Sequence, residues 1–442
     1  FIKLVDHKEE FLKRGEQIKW FPEFMKSRYT NWVENVDRDW CISRQRYFGV
    51  PIPVWYCEKC GEIILPDEQD LPVNPLVSSP KHACPKCGST SFRPETDIFD
   101  TWQTSSITPQ INCKWGTDEK FYEKMMPMSL RPNAHDIIRT WDFYTIAKSH
   151  YHSNSLPWKN VMISGFVMAN KDEKISKSKS NSKMSPETLI KEKSADVTRY
   201  WASTGSLGRD IIFTDEEFKN GTKLVNKIWN ASRFVLSLLG EYKPEKIDLL
   251  PMDKWIIGKF NQMQRKFKDY FEKYEIGLAI GELEKFFWNF CDNYIEIAKK
   301  RLYNPDIYGL DATNSAKFAS YNVLLGMLKL FAIYLPHITE EIYQAYFREI
   351  EGEKSIHLTQ LTPIDEEIDA ETVENGDEVA QIVSKIRAFK SENNLSLKEE
   401  LSKVTLVGYG DFVKACEVDI KAVGSIVSLE FEDGEKDVKI VK

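Results

Sequence analysis

The sequence predicts an α/β domain with parallel strands, followed by an all-α bundle and a small α/β cap. Two observations carry this. Between Thr101 and about Val167, apolar strand-like runs alternate with helical ones, the pattern of parallel strands joined by crossover helices. Within it, Val161-Met162-Ile163-Ser164-Gly165-Phe166-Val167 reads as a buried strand. After residue 215 the period changes. Phe218, Leu224, Val225, Ile228, Trp229, Val235 and Leu236 recur at helical spacing, and similar stripes follow in 252–273, 278–303 and 314–348. Amphipathic segments joined by short polar breaks describe a helical bundle. Val379 to Asn393 reads as one more helix, and Lys403 to Lys442 alternates apolar and polar residues like a small α/β cap.

At 442 residues the chain exceeds one ordinary core, so two to four domains are expected. The formal net charge of -7 argues against a nonspecific nucleic-acid coat and leaves room for a local basic face. Lys171 to Lys193 is lysine-rich, whereas Pro363 to Ala380 carries acids and no base and reads as a solvated linker. No apolar run reaches about 18 residues, so no membrane span is expected. The start, Phe1-Ile2-Lys3, has no signal-peptide pattern and reads as the middle of a larger protein. A cytoplasmic, monomeric protein is expected.

The strongest local signal is Cys57-x-x-Cys60 followed by Cys84-x-x-Cys87. Two such knuckles set four soft sulfur ligands around one tetrahedral ion, and zinc suits them. With no open coordination position the site is structural; His82 is a bystander, and the alternative is four free thiols. Next comes Lys174-Ile175-Ser176-Lys177-Ser178-Lys179, lysines and small hydroxyl residues just after a candidate strand and before a helix from Pro186. A cationic loop placed there can close over a triphosphate and neutralise charge as pyrophosphate leaves; on charge alone it is an ordinary solvated loop. Asn133-Ala134-His135-Asp136-Ile137-Ile138-Arg139-Thr140-Trp141 lies between a strand-like segment and an amphipathic helix. A carboxylate at a strand end commonly accepts from a ribose hydroxyl. Ile137 and Trp141, four apart, share a helix face, and Asp100-Thr101-Trp102 supplies another Trp near a polar turn. Ordinary core packing is the alternative for all three apolar residues.

These residues reach a family. Asp39-Trp40-Cys41-Ile42-Ser43-Arg44-Gln45-Arg46-Tyr47-Phe48-Gly49-Val50-Pro51-Ile52-Pro53 resembles the isoleucyl, leucyl and valyl tRNA synthetases. Lys174 to Ser178 is similar to their Lys-Met-Ser-Lys-Ser loop. Phe290-Cys291-Asp292-Asn293-Tyr294-Ile295-Glu296 and Pro336-His337-Ile338-Thr339-Glu340-Glu341-Ile342-Tyr343 resemble their anticodon-binding bundle. The elements come in the family's order along nearly the whole chain. Three strings select the valyl members. Asp100-Thr101-Trp102-Gln103-Thr104-Ser105-Ser106 resembles the valyl pattern, where the isoleucyl one reads Asp-Val-Trp-Phe-Asp-Ser. His135-Asp136-Ile137-Ile138-Arg139-Thr140-Trp141 resembles the archaeal-type valyl version, where the isoleucyl one has Asp-Gln. Arg199-Tyr200-Trp201-Ala202-Ser203-Thr204-Gly205-Ser206-Leu207-Gly208 is also similar to valyl sequences.

The resemblance implies the carboxy-terminal half of such an enzyme. Residues 1–50 would follow a missing editing domain, 51–100 form a zinc-knuckle insertion, and 101–185 the second half of a Rossmann-type catalytic domain. A stem-contact connection would occupy 186–215, the anticodon-binding helices 216–362, an acidic linker 363–378 and the cap 379–442. The implied chemistry has two steps. Valine carboxylate attacks the α-phosphate of ATP, giving valyl-adenylate and pyrophosphate; the terminal ribose of tRNA(Val) then takes the valyl group. Lys174 and Lys177 would be the catalytic phosphate-holding groups, and magnesium would accompany ATP. Ala134, His135, Asp136, Ser176 and Ser178 would hold the nucleotide, with Asp136 on the ribose. Trp102, Ile137 and Trp141 would line the valine pocket, a tight apolar box that rejects larger rivals by overlap.

The chain departs from the family in several places. It has no His-Ile-Gly-His-type motif, no editing domain and no carboxy-terminal coiled coil, so the chain alone is expected not to activate valine. Ile175 stands for the usual Met, Ala134 for a Gly before His-Asp, and Ser180 for a Gly after Lys-Ser-Lys. Gly at such places permits positive φ or close approach to a nucleotide. The alternatives are a noncatalytic synthetase-derived RNA-binding protein, and isoleucyl or leucyl specificity. For RNA contact the candidate charges are Lys299, Lys300 and Arg301 on one helix and Lys219, Lys223, Lys227 and Arg233 on another.

Overall fold

The computed structural model describes the chain except residues 177–180, 182–184, 241, 243, 244, 246 and 365–367. It divides into two compact units, Phe1–Val167 with Leu207–Ile211, and Met168–Ser206 with Ile212–Lys442.

The first unit is built on a three-stranded parallel sheet. Strand β1 (Lys19–Phe21), β2 (Met128–Ala134) and β3 (Trp158–Ser164) lie in the order β1-β3-β2. In register, Trp20 faces Val161 and Ala134 faces Ser164. Helix α1 (Lys26–Glu34) follows β1, and α2 (Phe143–Ser153) separates β2 from β3. The core joins Phe11, Tyr29, Val33, Phe143, Ile146, Trp158, Val161 and Ile163, all nearly or fully inaccessible. In β3 Val161 and Ile163 are buried and Met162 between them is half-buried, which fits the apolar run. That strand runs over Trp158–Ser164, not to Val167 as the apolar run suggests. At Gly165, just past its end, a Cβ would lie 2.1 Å from the Arg209 carbonyl oxygen, so the position needs glycine. A short hairpin, Val167–Asn170 with Glu173–Lys174, follows.

Residues 51–100 form a small, strand-poor module. Trp55–Cys57 pairs antiparallel with Ile63–Ile64 and with Phe92–Pro94. Each C-x-x-C is a tight turn closed by the glycine that follows it. Gly61 N–H donates to Cys57 O and Gly88 N–H to Cys84 O, both at 2.8 Å. The two glycines have φ of 74° and 70°, a conformation that favours glycine.

In the second unit, α3 (Ala195–Ser203) leads to a bundle. Its helices are α4 (Asp215–Leu239), α5 (Pro251–Glu272), α6 (Ile276–Asn289), α7 (Ile295–Tyr303) and α8 (Leu310–Phe331). Phe218, Leu224, Ile228 and Val235 of α4 are buried, whereas Trp229 is exposed. The acidic stretch differs from a linker. Helix α9 (Ala370–Glu392) begins inside it, capped by Asp369, which accepts from Thr372 N–H at 2.6 Å. Asp377 then accepts from Trp255 Nε1 and pairs with Lys259 at 3.0 Å, so part of that acid load faces α5 rather than water. The end of the chain is a three-stranded sheet, β4 (Leu401–Val407) between β5 (Ile426–Glu432) and β6 (Asp437–Val441), with α10 (Glu417–Gly424). Its Leu401, Val404, Leu406 and Ile420 belong to the same core as the bundle. The cap is therefore continuous with the helices.

Arg301 corrects an expectation. It is 1% exposed, not a surface cation. Its guanidinium meets Asp253 at 2.7 Å and Asp419 at 2.9 Å, tying α7 to α5 and to α10.

Candidate functional site

All three strands of the parallel sheet end at the same edge, where open α/β sheets bind ligands. His135 follows β2 directly, and Gly165 follows β3. The His135 side chain is 12% exposed, and Asp136 beside it is exposed. Its ring lies 4.3 Å from the Phe166 ring. Asp210, on the returning segment Leu207–Ile211, faces His135 Nε2 at 3.6 Å and accepts from Phe166 N–H at 2.7 Å. Arg28 of α1 reaches His135 Nδ1 at 3.4 Å. Ala134 has φ of -84° and ψ of 158°, ordinary extended backbone, so alanine there carries no conformational strain.

Trp102, Ile137 and Trp141 pack on one core, Trp141 buried and the other two half-buried. They do not lie along a single α-helix. His135–Ile137 is a 3-10 turn, and Ile138–Asp142 is a π turn, which buries Ile138 and turns Trp141 inward. Trp141 stacks on Trp158 at 5.2 Å and 7°, carries the Arg131 guanidinium 4.0 Å from its ring centroid, and donates from Nε1 to Ser105 O.

Sequence reasoning missed two buried carboxylates here. Asp100, 6% exposed, accepts from Trp40 Nε1 at 3.1 Å and pairs with Arg44 at 3.2 Å. Trp40 in turn stacks on Tyr144 at 3.8 Å and 7°. The signal was present: Trp40 and Arg44 lie in the Asp39-to-Pro53 string and Asp100 opens the Trp102 string, but nothing along the chain joins them. Asp142 is fully buried, and burial pushes its carboxyl up to about 7, against the Asn133 amide and the Arg131 charge. Asn133 Nδ2 donates to it at 3.1 Å, while Asp142 Oδ1, Asn133 Oδ1 and Arg131 Nε have no hydrogen-bond partner among the described residues. On α2, burial pushes Lys148 down to about 8, and its Nζ donates to Gln103 O at 3.3 Å.

The lysine-rich loop belongs to the second unit. Lys174 ends the short hairpin strand. Asn181 Nδ2 donates to Lys174 O at 3.0 Å, and Ser176 N–H donates to Asn181 Oδ1 at 2.9 Å. Lys177, Ser178 and Ser180 lie outside the described residues. A helix starts at Pro186, capped by Ser185.

The four paired cysteines converge. Their sulfurs all lie within 4.8 Å of one another, with Cys57–Cys87 and Cys60–Cys84 each at 3.6 Å. Sulfurs bonded to one zinc at ~2.3 Å would stand ~3.8 Å apart, and a disulfide needs ~2.05 Å. The set fits a tetrahedral ion. Although burial raises it, Cys57 is brought down to about 6 by the N–H groups of Cys60 and Lys59 and by neighbouring thiols. Against the Glu62 N–H, burial and the three other sulfurs raise Cys60 to about 12. His82 stands apart, 3.7 Å from Asp67 and 81% exposed at its side chain.

Comparison with known proteins gives two family matches. Residues 1–214 match the class I tRNA synthetases (I, L, M and V), and residues 253–405 match the anticodon-binding domain of tRNA ligase. The valine--tRNA ligase of Rickettsia conorii is 39% identical over 464 residues, covering 100% of this chain and 55% of the relative. That of Wolbachia pipientis wMel is 39% identical over 451 residues, covering 98% and 51%. The chain thus spans about half the length of the curated relatives it matches. Among solved structures, the LeuRS of Agrobacterium radiobacter K84, in a ternary complex with tRNA, aligns with TM-score 0.58 and 20% identity, covering 76% of this chain and 43% of that one. The free methionyl-tRNA synthetase of Mycobacterium tuberculosis aligns with TM-score 0.58 and 13% identity, covering 77% and 61%. These two likenesses concern the fold.

Proposed function

We propose that the chain, whose first 214 residues match the class I tRNA synthetases, is the part of a valine--tRNA ligase that carries the second half of the nucleotide-binding fold and the anticodon-binding helices. The observation that carries this reading is the open parallel sheet. Among the described residues β2 pairs only with β3, so its other edge offers seven residues of backbone for a further strand. An unpaired strand edge is a template for a further strand. The likeness to enzymes about twice as long offers a source for one.

In the whole enzyme ATP would lie across the carboxyl edge, with Asp136 on the ribose and the Ala134–His135 backbone close by. Trp102, Ile137 and Trp141 would enclose the valine side chain. A branched apolar group of that size gains from a dry aromatic wall, while leucine and isoleucine overlap it. Lys174, Ser176, Lys177 and Ser178 would meet the phosphates, and magnesium would accompany ATP. Attack by the valine carboxylate needs little covalent help from the protein. Its rate comes from alignment and from cations near the departing pyrophosphate. The bundle would take the anticodon of tRNA(Val), and one structural zinc would sit among Cys57, Cys60, Cys84 and Cys87. No helix among the described residues is long and apolar enough to cross a membrane.

The test is a chimaera. This chain, joined after the preceding part of the Rickettsia conorii enzyme, should exchange pyrophosphate into ATP with valine and not with isoleucine. In that background Lys177→Ala should lower the exchange rate by orders of magnitude. A well-folded chimaera with no exchange, but with retained tRNA binding, would favour a noncatalytic RNA-binding role.

A further inference from the structure

The geometry points to His135 as a positioning residue rather than a nucleotide ligand: with Arg28 and Asp210 it clasps the end of β2 to the Gly165–Phe166 turn. This rests on the reading of the carboxyl edge as a nucleotide site, and it deepens that reading. The ring has two nitrogens, and both face protein. Arg28 can only donate, so His135 Nδ1, 3.4 Å from Nη1, is the unprotonated acceptor. Nε2 then carries the hydrogen, and it faces the Asp210 carboxylate at 3.6 Å. One ring face is covered by Phe166. A ring arranged in this way has no nitrogen left for ATP.

What the clasp holds is a crossing of backbones. Gly208 N–H donates to Ile163 O at 2.8 Å, Asp210 Oδ1 accepts from Phe166 N–H at 2.7 Å, and Ile211 N–H donates to Phe166 O at 2.9 Å. The segment Leu207–Ile211 thus runs against the end of β3, close enough to exclude any side chain at Gly165. It returns through Gly208, with φ of 70°, whose Cβ position lies 2.7 Å from Pro22 and Phe24 side chains. His135 bonds none of these backbone groups. It orients the one carboxylate that does. The turn after β3 forms part of the crevice wall, so its backbone position bears on nucleotide affinity without any His135–ATP contact.

The experiment uses the chimaera with the preceding part of the Rickettsia conorii enzyme, labelled with 15N. Imidazole long-range spectra should show His135 as the Nε2–H tautomer, with its 15N shifts unmoved by saturating MgATP. Amide exchange at Phe166, Gly208 and Ile211 should quicken by about tenfold or more in His135→Ala, although that side chain bonds none of them. Asp210→Asn, which keeps an oxygen for Phe166 and loses the charge, should quicken the same amides and keeps the test open should His135→Ala misfold. For MgATP affinity the double variant should be no weaker than the weaker single variant, because both act through one carboxylate. An Nδ1–H tautomer, a ring nitrogen displaced by MgATP, unchanged exchange in both variants, or additive losses would each overturn the clasp. A wild-type chimaera that binds no MgATP would defeat the nucleotide reading, and the tautomer and exchange results would still decide the clasp.

Discussion

Asp142 in the first unit and Asp253 in the second are both completely buried, yet they keep different company. Asp253 accepts from Tyr294, from both terminal nitrogens of Arg301 and from Ser315. Asp142 has one amide donor at 3.1 Å and a second oxygen with none. The contrast extends to the neighbours: Thr145 Oγ1 and Ser149 Oγ on α2 are also buried without a partner among the described residues. Each such group costs about 1–3 kcal/mol. Asp253 has donors on both of its oxygens, while Asp142 has a donor on only one. The two carboxylates therefore differ in how completely their charge is matched.

The largest expected effect concerns the part of the first unit that a metal, not a core, would hold. Stripping the proposed zinc with a strong chelator should abolish amide protection at Gly61 and Gly88 and leave α5 and α8 protected. Protection that survives a verified metal-free state would show that hydrogen bonds alone keep the knuckles closed.

Next is Arg301→Ala. It leaves Asp253 and Asp419 as uncompensated buried charges, and should destabilise the second unit by about 3–5 kcal/mol in urea unfolding. Asp419, which burial and Asp253 push up to about 6 against the pull of Arg301, should then titrate higher still. A loss under about 1 kcal/mol would mean that water already reaches this cluster, and the contrast with Asp142 would fail.

Asp142→Asn should act in the opposite sense and more weakly. In the unfolded chain this carboxyl ionises near 3.8, in the fold at about 7. The fold therefore holds the proton more tightly. Its contribution is fully present below pH 4 and is lost as pH rises through 7. The neutral amide removes that loss and can donate to Asn133 Oδ1, so at pH 8 the first unit should gain on the order of 2 kcal/mol, with none gained at pH 4. A variant less stable at pH 8 would show that the carboxylate is ionised and matched by a donor, and the contrast with Asp253 would collapse.

How legible this was depends on the range of the interactions. The knuckles are local: four residues and a glycine make each turn, so spacing alone located them. Helical stripes are local too, and the bundle followed from them. Arg301 reads as a surface cation because Lys299 and Lys300 precede it; its partners lie 48 and 118 positions away, at Asp253 and Asp419, where no periodicity points. The stretch from Ala370 looks solvated because its acids lack nearby bases, yet Asp377 finds Trp255 and Lys259 on another helix. Trp102, Ile137 and Trp141 were singled out by resemblance, while the π turn that sets Trp141 against Trp158 has no sequence signature. Asp100 was read past as a turn residue because its partners, Trp40 and Arg44, sit across an inserted module.

The smallest effect on stability separates surface charge from function in the second unit. Lys227 on α4 sits 3.6 Å from Asp292 and 5.3 Å from the Trp288 ring centroid, both partners exposed. Such a pair contributes at most about 0.5–1 kcal/mol, so Lys227→Ala should barely move the unfolding midpoint. RNA binding reads the same side chain differently. If Lys227 neutralises one phosphate of tRNA(Val), its removal should lower the slope of log affinity against log salt by about 0.7–0.9. Lys299, held by Glu296 at 2.7 Å and only 29% exposed, should change that slope less. Sequence choice needs more than charge, because splayed bases must stack or hydrogen-bond on the helices. A tRNA(Val) transcript should therefore outcompete one changed only in its anticodon, and do so equally for the wild type and for Lys227→Ala. Should Lys227→Ala leave the salt slope intact, this face of α4 is solvated surface. Should both transcripts bind alike at every salt concentration, the bundle supplies charge alone, and anticodon reading must be assigned elsewhere.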